Sequence, residues 1–255
     1  MEIINSLHTL RAALPEKAQI KIGVWGDSVF QGVVFDELAG KYRILKDNAV
    51  SMCSGALQAT VENFSRFGCT VTKGKQRLLS HLDKGKQCDI AVLEYGGNDC
   101  DMPWDKISED PQADHIPKTP LKVFSAQIQE MIDALIAHGT VPLLTTLPPL
   151  HSERYLNWVC RTGLCRENIL RFLGEPHHIY RHHERYSLEI SQLGMANNCR
   201  VVDVRAAFLD HGDFSELLCA DGIHPNAKGQ MLIRETFMAF ANKYLPGAMP
   251  EPSPC

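Results

Sequence analysis

The sequence predicts an α/β fold whose central, mostly parallel sheet has five strands and is covered by helices on both faces. Apolar runs of strand length alternate with stretches of helical spacing, which is the pattern of a parallel sheet. With 255 residues, 44% of them apolar, the chain can bury one large core, so we predict a single domain over residues 1–255. The predicted strands are 20–25, 59–64, 90–95, 141–147 and 200–204.

Two helices are clearest from the spacing of their apolar residues. For the first, we predict Thr119 as N-cap, Pro120 as the first helical position and Gly139 as the end. Its apolar face consists of Leu121, Phe124, Ile128, Met131, Ile132 and Leu135. The second begins after Asn226, and its inner face consists of Ile233, Phe237, Phe240, Ala241 and Tyr244. Both faces are expected to pack on the sheet.

Two connections are longer than those usual in a compact domain. They cover residues 100–118, which are rich in Pro and Asp, and residues 148–198, which contain helical segments of their own. Long connections commonly form lids or binding loops. We therefore predict that both are insertions beside a functional site.

Charge and composition argue against several classes of partner. The net charge is -4 and the chain has no block of Lys and Arg, so nothing favours nucleic acid or an anionic membrane. No segment approaches the roughly 18 apolar residues of a membrane span. The start, residues 1–15, lacks a signal-peptide pattern, and the nine cysteines are dispersed and odd in number. A cytoplasmic location is expected.

Two short segments have the residues for nucleophilic catalysis. Asp221 precedes His224 by three residues in a turn-prone loop, which can supply a general base and the acid that orients it. Gly26-Asp27-Ser28 directly follows the first predicted strand and offers Ser28 as a candidate nucleophile. A serine hydroxyl needs a base within hydrogen-bond reach, and His224 is the candidate base. Taken alone, each segment also fits an ordinary turn that precedes a helix.

Four blocks in order along the chain resemble the SGNH (GDSL) hydrolases. They are Gly26-Asp27-Ser28, residues 63–70 (NFSRFGCT), Gly96-Gly97-Asn98-Asp99 and residues 221–225 (DGIHP). The resemblance implies a flavodoxin-like, three-layer fold. It also implies that Ser28 is the nucleophile, His224 the base and Asp221 its orienting acid. The implied oxyanion hole comprises the amides of Ser28 and Gly68 and the side chain of Asn98.

Five residues in or beside these blocks have further implications for the site. Arg66 and Phe67 stand where small residues are usual in the family, which affects the width of the substrate entrance. Glu94, in the strand before the Gly-Gly turn, needs a partner if it is buried, and the sequence does not name one. Asp27 and Asp99 are interpreted as residues that organise their loops.

A metal centre is the competing interpretation of the histidine cluster in residues 177–183. His178 and His182 share a helix face at metal-binding spacing, but no Glu lies between them as in zinc peptidases. Cys160 and Cys165 lack a second matching pair. We therefore predict neither a metal nor a cofactor.

The expected function is cleavage of an ester, with an acetyl or short acyl group on a carbohydrate, lipid or other small molecule. Acyl transfer by the same triad, or a non-catalytic or metal-binding protein on this scaffold, is the alternative. For substrate binding we predict Trp104, His115, Tyr155 and Trp158, and we expect Tyr180 and Tyr186 at the same edge.

Overall fold

Seven strands occur in the computed structural model, which describes residues 19–245. They are β1 (Ile20–Gly26), β2 (Val33–Asp36), β3 (Lys41–Ile44), β4 (Ala59–Asn63), β5 (Ile90–Glu94), β6 (Val141–Thr145) and β7 (Arg200–Val202). The amphipathic start, 1–15, and the Pro/Gly-rich tail, 246–255, lie outside the described residues.

Five of these strands form a parallel sheet in the order β4-β1-β5-β6-β7. This is the flavodoxin-like order, and the strand order reverses between β1 and β5. The predicted α/β fold class is confirmed, and each predicted strand is present to within two residues at its carboxyl end. Sites in such sheets form at the reversal point, which is where Ser28 and Asn98 follow their strands.

Ten α-helices and one 3₁₀ helix connect the strands in residues 19–245. The α-helices are α1 (Ser28–Gln31), α2 (Ala49–Ala56), α3 (Val71–Asp83), α4 (Trp104–Glu109), α5 (Leu121–Ala137), α6 (Ser152–Cys160), α7 (Arg166–Leu173), α8 (His177–Ala196), α9 (Val204–Leu209) and α10 (Ala227–Tyr244). The 3₁₀ helix is Phe214–Leu217. No described helix is long and apolar enough to cross a membrane.

Helices cover both faces of the sheet because successive strand residues point to opposite sides. Ile90 and Val92 of β5 pack with α2, α9 and α10, whereas Ala91 and Leu93 pack with α3, α5 and α8. These two apolar clusters make the three layers. They hold the strand ends, and hence the loops after β1 and β5, in fixed positions.

The start of α5 differs from the prediction by one residue. Pro120 occupies the N-cap position with ψ of 143°, and the helix begins at Leu121. Thr119 lies one residue before the N-cap, and its backbone N–H donates to the carbonyl oxygen of Asp99 at 2.9 Å. This bond holds Thr119 in the loop that follows β5.

The sequence analysis missed the antiparallel hairpin of β2 and β3, which lies between α1 and α2. The two predicted insertions supply α4, α6, α7 and α8. Their apolar residues form a third cluster beside the carboxyl ends of the strands, where Ser28 lies. Its buried members are Ile107, Leu150, Leu156, Ile169, Leu173 and Ile179.

Candidate active site

Ser28, the candidate nucleophile, is the first residue of α1 and follows the carboxyl end of β1. Asp27 caps this helix, because its Oδ1 atom accepts the backbone N–H of Val29 at 2.9 Å. Gly26 leaves no room for a side chain, since a Cβ there would lie 2.8 Å from Oε2 of Glu94. The cap and this close packing together fix the position of Ser28.

The loop after the 3₁₀ helix folds around the carboxylate of Asp221. Its Oδ1 atom accepts the backbone N–H groups of Ile223 at 3.0 Å and His224 at 3.1 Å. Gly222 has φ of 75°, and a Cβ there would lie 2.7 Å from Cβ of Arg154. Glycine is therefore required at this position by both conformation and space.

A continuous chain of hydrogen bonds joins the three predicted triad residues. Nε2 of His224 lies 2.9 Å from Oγ of Ser28, and Nδ1 lies 2.6 Å from Oδ2 of Asp221. All three side chains are buried. Burial favours a raised pKa for Asp221, but hydrogen bonds from His224 and the loop amides outweigh it and hold the pKa below its usual value. The ionised carboxylate can therefore support a positively charged imidazole.

The three predicted oxyanion donors line the same cavity as the triad. They are the amides of Ser28 and Gly68 and the side chain of Asn98. Gly68 has φ of 67°, and a Cβ there would meet nothing within 4 Å, so conformation rather than space requires glycine. Within residues 19–245 its amide donates to no protein group. This donor is thus open to a bound substrate.

Asn98 is held in place by Asp27. Its Nδ2 atom donates to Oδ2 of Asp27 at 2.8 Å, which uses one of its two hydrogens. The second hydrogen remains for an oxyanion. Asp27 thus organises its own turn, as predicted, and also joins the loop after β1 to the loop after β5.

Glu94 has a partner that the sequence could not name, the backbone N–H of Asp27, which lies 3.1 Å from its Oε2 atom. Oε1 has no hydrogen-bond partner in the described part of the chain. Burial and the nearby charge of Asp27 raise the pKa of Glu94 well above its usual value. Burial also raises the pKa of Asp27, but bonds from Val29 and Asn98 oppose this. The pKa of Glu94 is therefore the more strongly raised of the two.

Asp99 organises the neighbouring loop. Its carboxylate accepts the backbone N–H of Val71, the first residue of α3, at 3.0 and 3.1 Å. Burial raises the pKa of Asp99 to about 6, although this bond opposes the shift. The predicted role of Asp99 as a loop residue agrees with this contact.

Tyr42, on β3, is a triad neighbour that the sequence analysis missed. Its hydroxyl donates to Oδ2 of Asp221 at 3.0 Å, and its ring centroid lies 5.1 Å from that of His224. Tyr42 and Asp221 are 179 residues apart, so no local pattern links them. The weak available signal was the short run Val33–Phe35 before the turn at Gly40, which marks the hairpin.

The triad opens onto a cavity of about 570 Å³, a volume typical of small-molecule sites. Its wall includes the four residues predicted to bind substrate, Trp104, His115, Tyr155 and Trp158. Apolar residues of the two insertions also line it, among them Met102, Leu150, Val159, Leu164, Phe172 and Ile179.

Comparison with protein families matches residues 24–232 to the GDSL-like lipase/acylhydrolase family. The chain belongs to this family. The match begins in β1, before Ser28, and ends within α10, after His224. It therefore includes every block on which the resemblance to the SGNH hydrolases was based. No curated protein sequence matches the chain significantly.

Solved structures show the same fold as this GDSL-like chain. A lipase/acylhydrolase from Enterococcus faecalis is 21% identical with a TM-score of 0.61, over 88% of this chain and 96% of that one. A variant of an acetyl-xylooligosaccharide esterase from Geobacillus stearothermophilus is 18% identical with a TM-score of 0.60, over 88% and 95%. A G-D-S-L family protein from Veillonella parvula is 13% identical with a TM-score of 0.60, over 88% and 99%. At these identities the likeness shows the fold alone.

Two aromatic residues expected near the cleft lie elsewhere in this GDSL-like protein. Tyr186 belongs to the core, where its hydroxyl donates to the carbonyl oxygen of Thr119 at 2.7 Å and its ring packs against Phe124. Tyr180 packs under the guanidinium of Arg205 and is not part of the cavity wall. The expectation was wrong because both positions lie on one long helix, α8, which presents His178, His182 and His183 to the cavity instead.

Phe67, one of the two bulky residues that stand where the family usually has small ones, lies at the entrance of the cavity. Its ring stacks on His224 with centroids 6.1 Å apart and an interplanar angle of 10°. The side chain is still 55% exposed, so it covers the imidazole without closing the cavity. Arg66 turns away and donates to the carbonyl oxygen of Ser65.

The histidine cluster forms part of the cavity wall. His178, His182 and His183 line the cavity, whereas His177 does not. Burial lowers the pKa of His183 to about 3, so its side chain is neutral. Among the described residues, no group of three or more His, Cys, Asp or Glu side chains is arranged to hold a metal ion.

Glu94→Gln will make the stability of this GDSL-like protein less sensitive to rising pH. A raised folded-state pKa means that the contribution of Glu94 is fully present below its unfolded value, near 4.5, and is lost as pH rises through the folded value. Gln cannot ionise, so this loss disappears. Urea unfolding at pH 5 and pH 8 measures this effect. The free energy of unfolding of the variant, relative to that of the wild type, should be higher at pH 8 than at pH 5.

Glu62→Gln is the matched control, because Glu62 lies on the neighbouring strand β4 and is exposed. Its unfolding should follow the wild type at both pH values. Equal pH dependence for Glu94→Gln and the wild type would show that Glu94 is ionised in the folded protein.

Proposed function

We propose that the protein is a serine hydrolase that cleaves carboxylic esters through an acyl-enzyme. The observation that supports this is the hydrogen-bonded chain from Ser28 through His224 to Asp221, which opens onto the cavity beside open oxyanion donors. Each part that acyl transfer needs is present: an activatable hydroxyl, an oriented base and preorganised donors.

In the proposed first step, Oγ of Ser28 attacks the ester carbonyl while Nε2 of His224 takes its proton. The amides of Ser28 and Gly68 and the side chain of Asn98 stabilise the developing oxyanion. His224 then protonates the alcohol that leaves, which yields the acyl-enzyme. Water attacks the acyl-enzyme in the second half, again with His224 as base, and releases the acid and the free serine.

The apolar share of the cavity wall favours an apolar acyl group over a sugar, and three of its polar side chains already bond to the protein. Nε1 of Trp104 and the hydroxyl of Tyr155 both donate to Oδ1 of Asp101, at 2.8 and 2.6 Å. Nε2 of His115 lies 2.6 Å from the carbonyl oxygen of Asp110. What these residues present to a ligand is ring surface and aliphatic carbon. We therefore propose that the acyl group is an apolar chain longer than acetyl.

A series of p-nitrophenyl esters with acyl chains of increasing length tests this substrate class. Each methylene group moved from water to an apolar wall contributes about 0.8 kcal/mol, or roughly a fourfold change in affinity. We expect kcat/KM to rise with chain length from acetate by up to this factor per carbon, until the cavity is full. Acetylated xylo-oligosaccharides should be cleaved more slowly than the favoured esters.

Leu164→Trp tests where the chain binds, because Leu164 lies in the cavity wall before α7. The larger side chain should shorten the preferred acyl chain while the acetate ester is cleaved as before. Leu188→Trp, at an exposed position on α8 outside the cavity wall, should leave the series unchanged. If the length of the acyl chain did not affect the rate, the acyl group would not bind in this cavity.

A further inference from the structure

The carboxylate of Asp221 accepts four hydrogen bonds, and only one of them comes from His224 Nδ1. Oδ1 accepts the two loop amides, whereas Oδ2 is shared between Nδ1 of His224 at 2.6 Å and the hydroxyl of Tyr42 at 3.0 Å. The imidazole and the tyrosine therefore compete for the charge of one oxygen atom. Loss of the tyrosine hydroxyl would leave that charge to the imidazole alone.

The β2–β3 hairpin holds Tyr42 in this position. Tyr42 pairs with Phe35 across the hairpin, and the backbone N–H of Phe35 lies 3.5 Å from Sγ of Cys219, beside the catalytic loop. The ring of Phe35 also packs edge-on against Trp158, with centroids 4.5 Å apart. The hairpin is thus attached both to the loop of the triad and to the wall of the cavity.

We propose that Tyr42 is a positioning residue that tunes the basicity of His224 through Asp221, an inference that rests on the proposed ester hydrolysis. The tyrosine hydroxyl withdraws part of the carboxylate charge that would otherwise support a protonated imidazole. Burial and the charge of Asp221 raise the pKa of Tyr42 above its usual value. The hydroxyl therefore keeps its proton and remains a donor throughout the working pH range.

Other charged and titratable groups also face this cluster. Asp27 acts on the imidazole from the nucleophile side, and Arg161 faces the tyrosine from the end of α6. Cys219 lies beside the carboxylate, with Glu37 and Arg43 of the hairpin facing it. All of these groups are unchanged in a variant that removes one hydroxyl. A shift seen in that variant alone therefore comes from the lost hydrogen bond.

Tyr42→Phe keeps the ring and removes only the hydroxyl. We expect the acidic limb of the kcat/KM profile, which reports protonation of the base, to move up by roughly half a pH unit. The plateau above that limb should change less than about threefold, because the two loop amides still orient Asp221. Activity at pH values below the limb should fall more than activity on the plateau.

Tyr186→Phe is the matched control, because it also removes a buried tyrosine hydroxyl. That hydroxyl donates to the carbonyl oxygen of Thr119 and not to a triad residue. The control variant should leave the acidic limb in place whatever it does to stability. If both variants moved the limb equally, or if Tyr42→Phe lowered only the melting temperature, the tuning role would be wrong and Tyr42 would be structural.

An NMR titration of the His224 imidazole in the Ser28→Ala background needs no turnover. Adding Tyr42→Phe to that background should move the titration midpoint to higher pH, even if no ester is cleaved by the wild type. An unchanged midpoint would overturn the role of Tyr42 and leave ester hydrolysis intact. Absence of wild-type ester cleavage, with a shifted midpoint, would instead overturn the proposed reaction alone.

Discussion

Ser28→Ala will reduce ester turnover by roughly 10⁴-fold to 10⁶-fold, the loss typical of removing a triad nucleophile. The substitution removes only the hydroxyl group, whose oxygen lies 2.9 Å from Nε2 of His224. Among residues 19–245, no other side chain forms a hydrogen bond with Nε2 of His224. The measurement is kcat/KM on the best ester of the chain-length series, together with labelling by a serine-reactive fluorophosphonate, which the variant should resist.

The fold of this variant should be unchanged, since Asp27 still caps α1 through the backbone of Val29. Circular dichroism and urea unfolding provide the check. His224→Ala should be nearly as damaging, and the double variant little worse than either, because residues that act as one unit are not additive. Multiplicative losses, or labelling that persists without Ser28, would place the chemistry elsewhere.

The strands and the site loops could be predicted because their signals are local. An apolar run such as residues 90–95 indicates a strand, and Gly96-Gly97 after it indicates a turn at the strand end. The strand ends themselves were less accurate. The last predicted strand ran to Val204, but Asp203 caps α9 by accepting the backbone N–H of Ala206 and so ends β7 earlier.

The contacts that complete the site could not be predicted, because they join residues far apart in the chain. The bond from Tyr42 to Asp221 and the bond from Glu94 to the turn at Asp27 depend on how the sheet brings loops together. The prediction for Tyr186 was wrong for a different reason. Its aromatic ring and polar tip suit a cleft and a core equally, and only the packing of α8 decides between them.

Phe67 shows how the same limit applies to a residue whose importance was recognised. Its bulk beside Gly68 predicted an effect on the entrance, but not which group it would cover. In the structure its ring lies against His224. The direction of a side chain on a loop depends on neighbours from other loops, which sequence spacing does not show.

Asn98→Ala will lower kcat by roughly 100-fold to 1,000-fold with little change in KM, the loss expected for one oxyanion donor. Nδ2 has a free hydrogen beside the cavity, because only one of the two is used by Asp27. That hydrogen gains a partner as the carbonyl oxygen becomes negative, so the interaction strengthens in the transition state. Steady-state kinetics on the preferred p-nitrophenyl ester measures both constants.

Asp27→Asn weakens the bond that orients Asn98 while the Asn98 side chain stays in place. The neutral amide is a weaker acceptor than the carboxylate, so Asn98 remains but is held less firmly, and kcat should fall by about tenfold, less than in Asn98→Ala. Combining the two substitutions should add little to Asn98→Ala alone, because Asp27 acts on the oxyanion through that amide. A rise in KM without a fall in kcat for Asn98→Ala would make it a ground-state binding residue. Fully multiplicative losses in the double variant would mean that Asp27 acts on the reaction by a separate route.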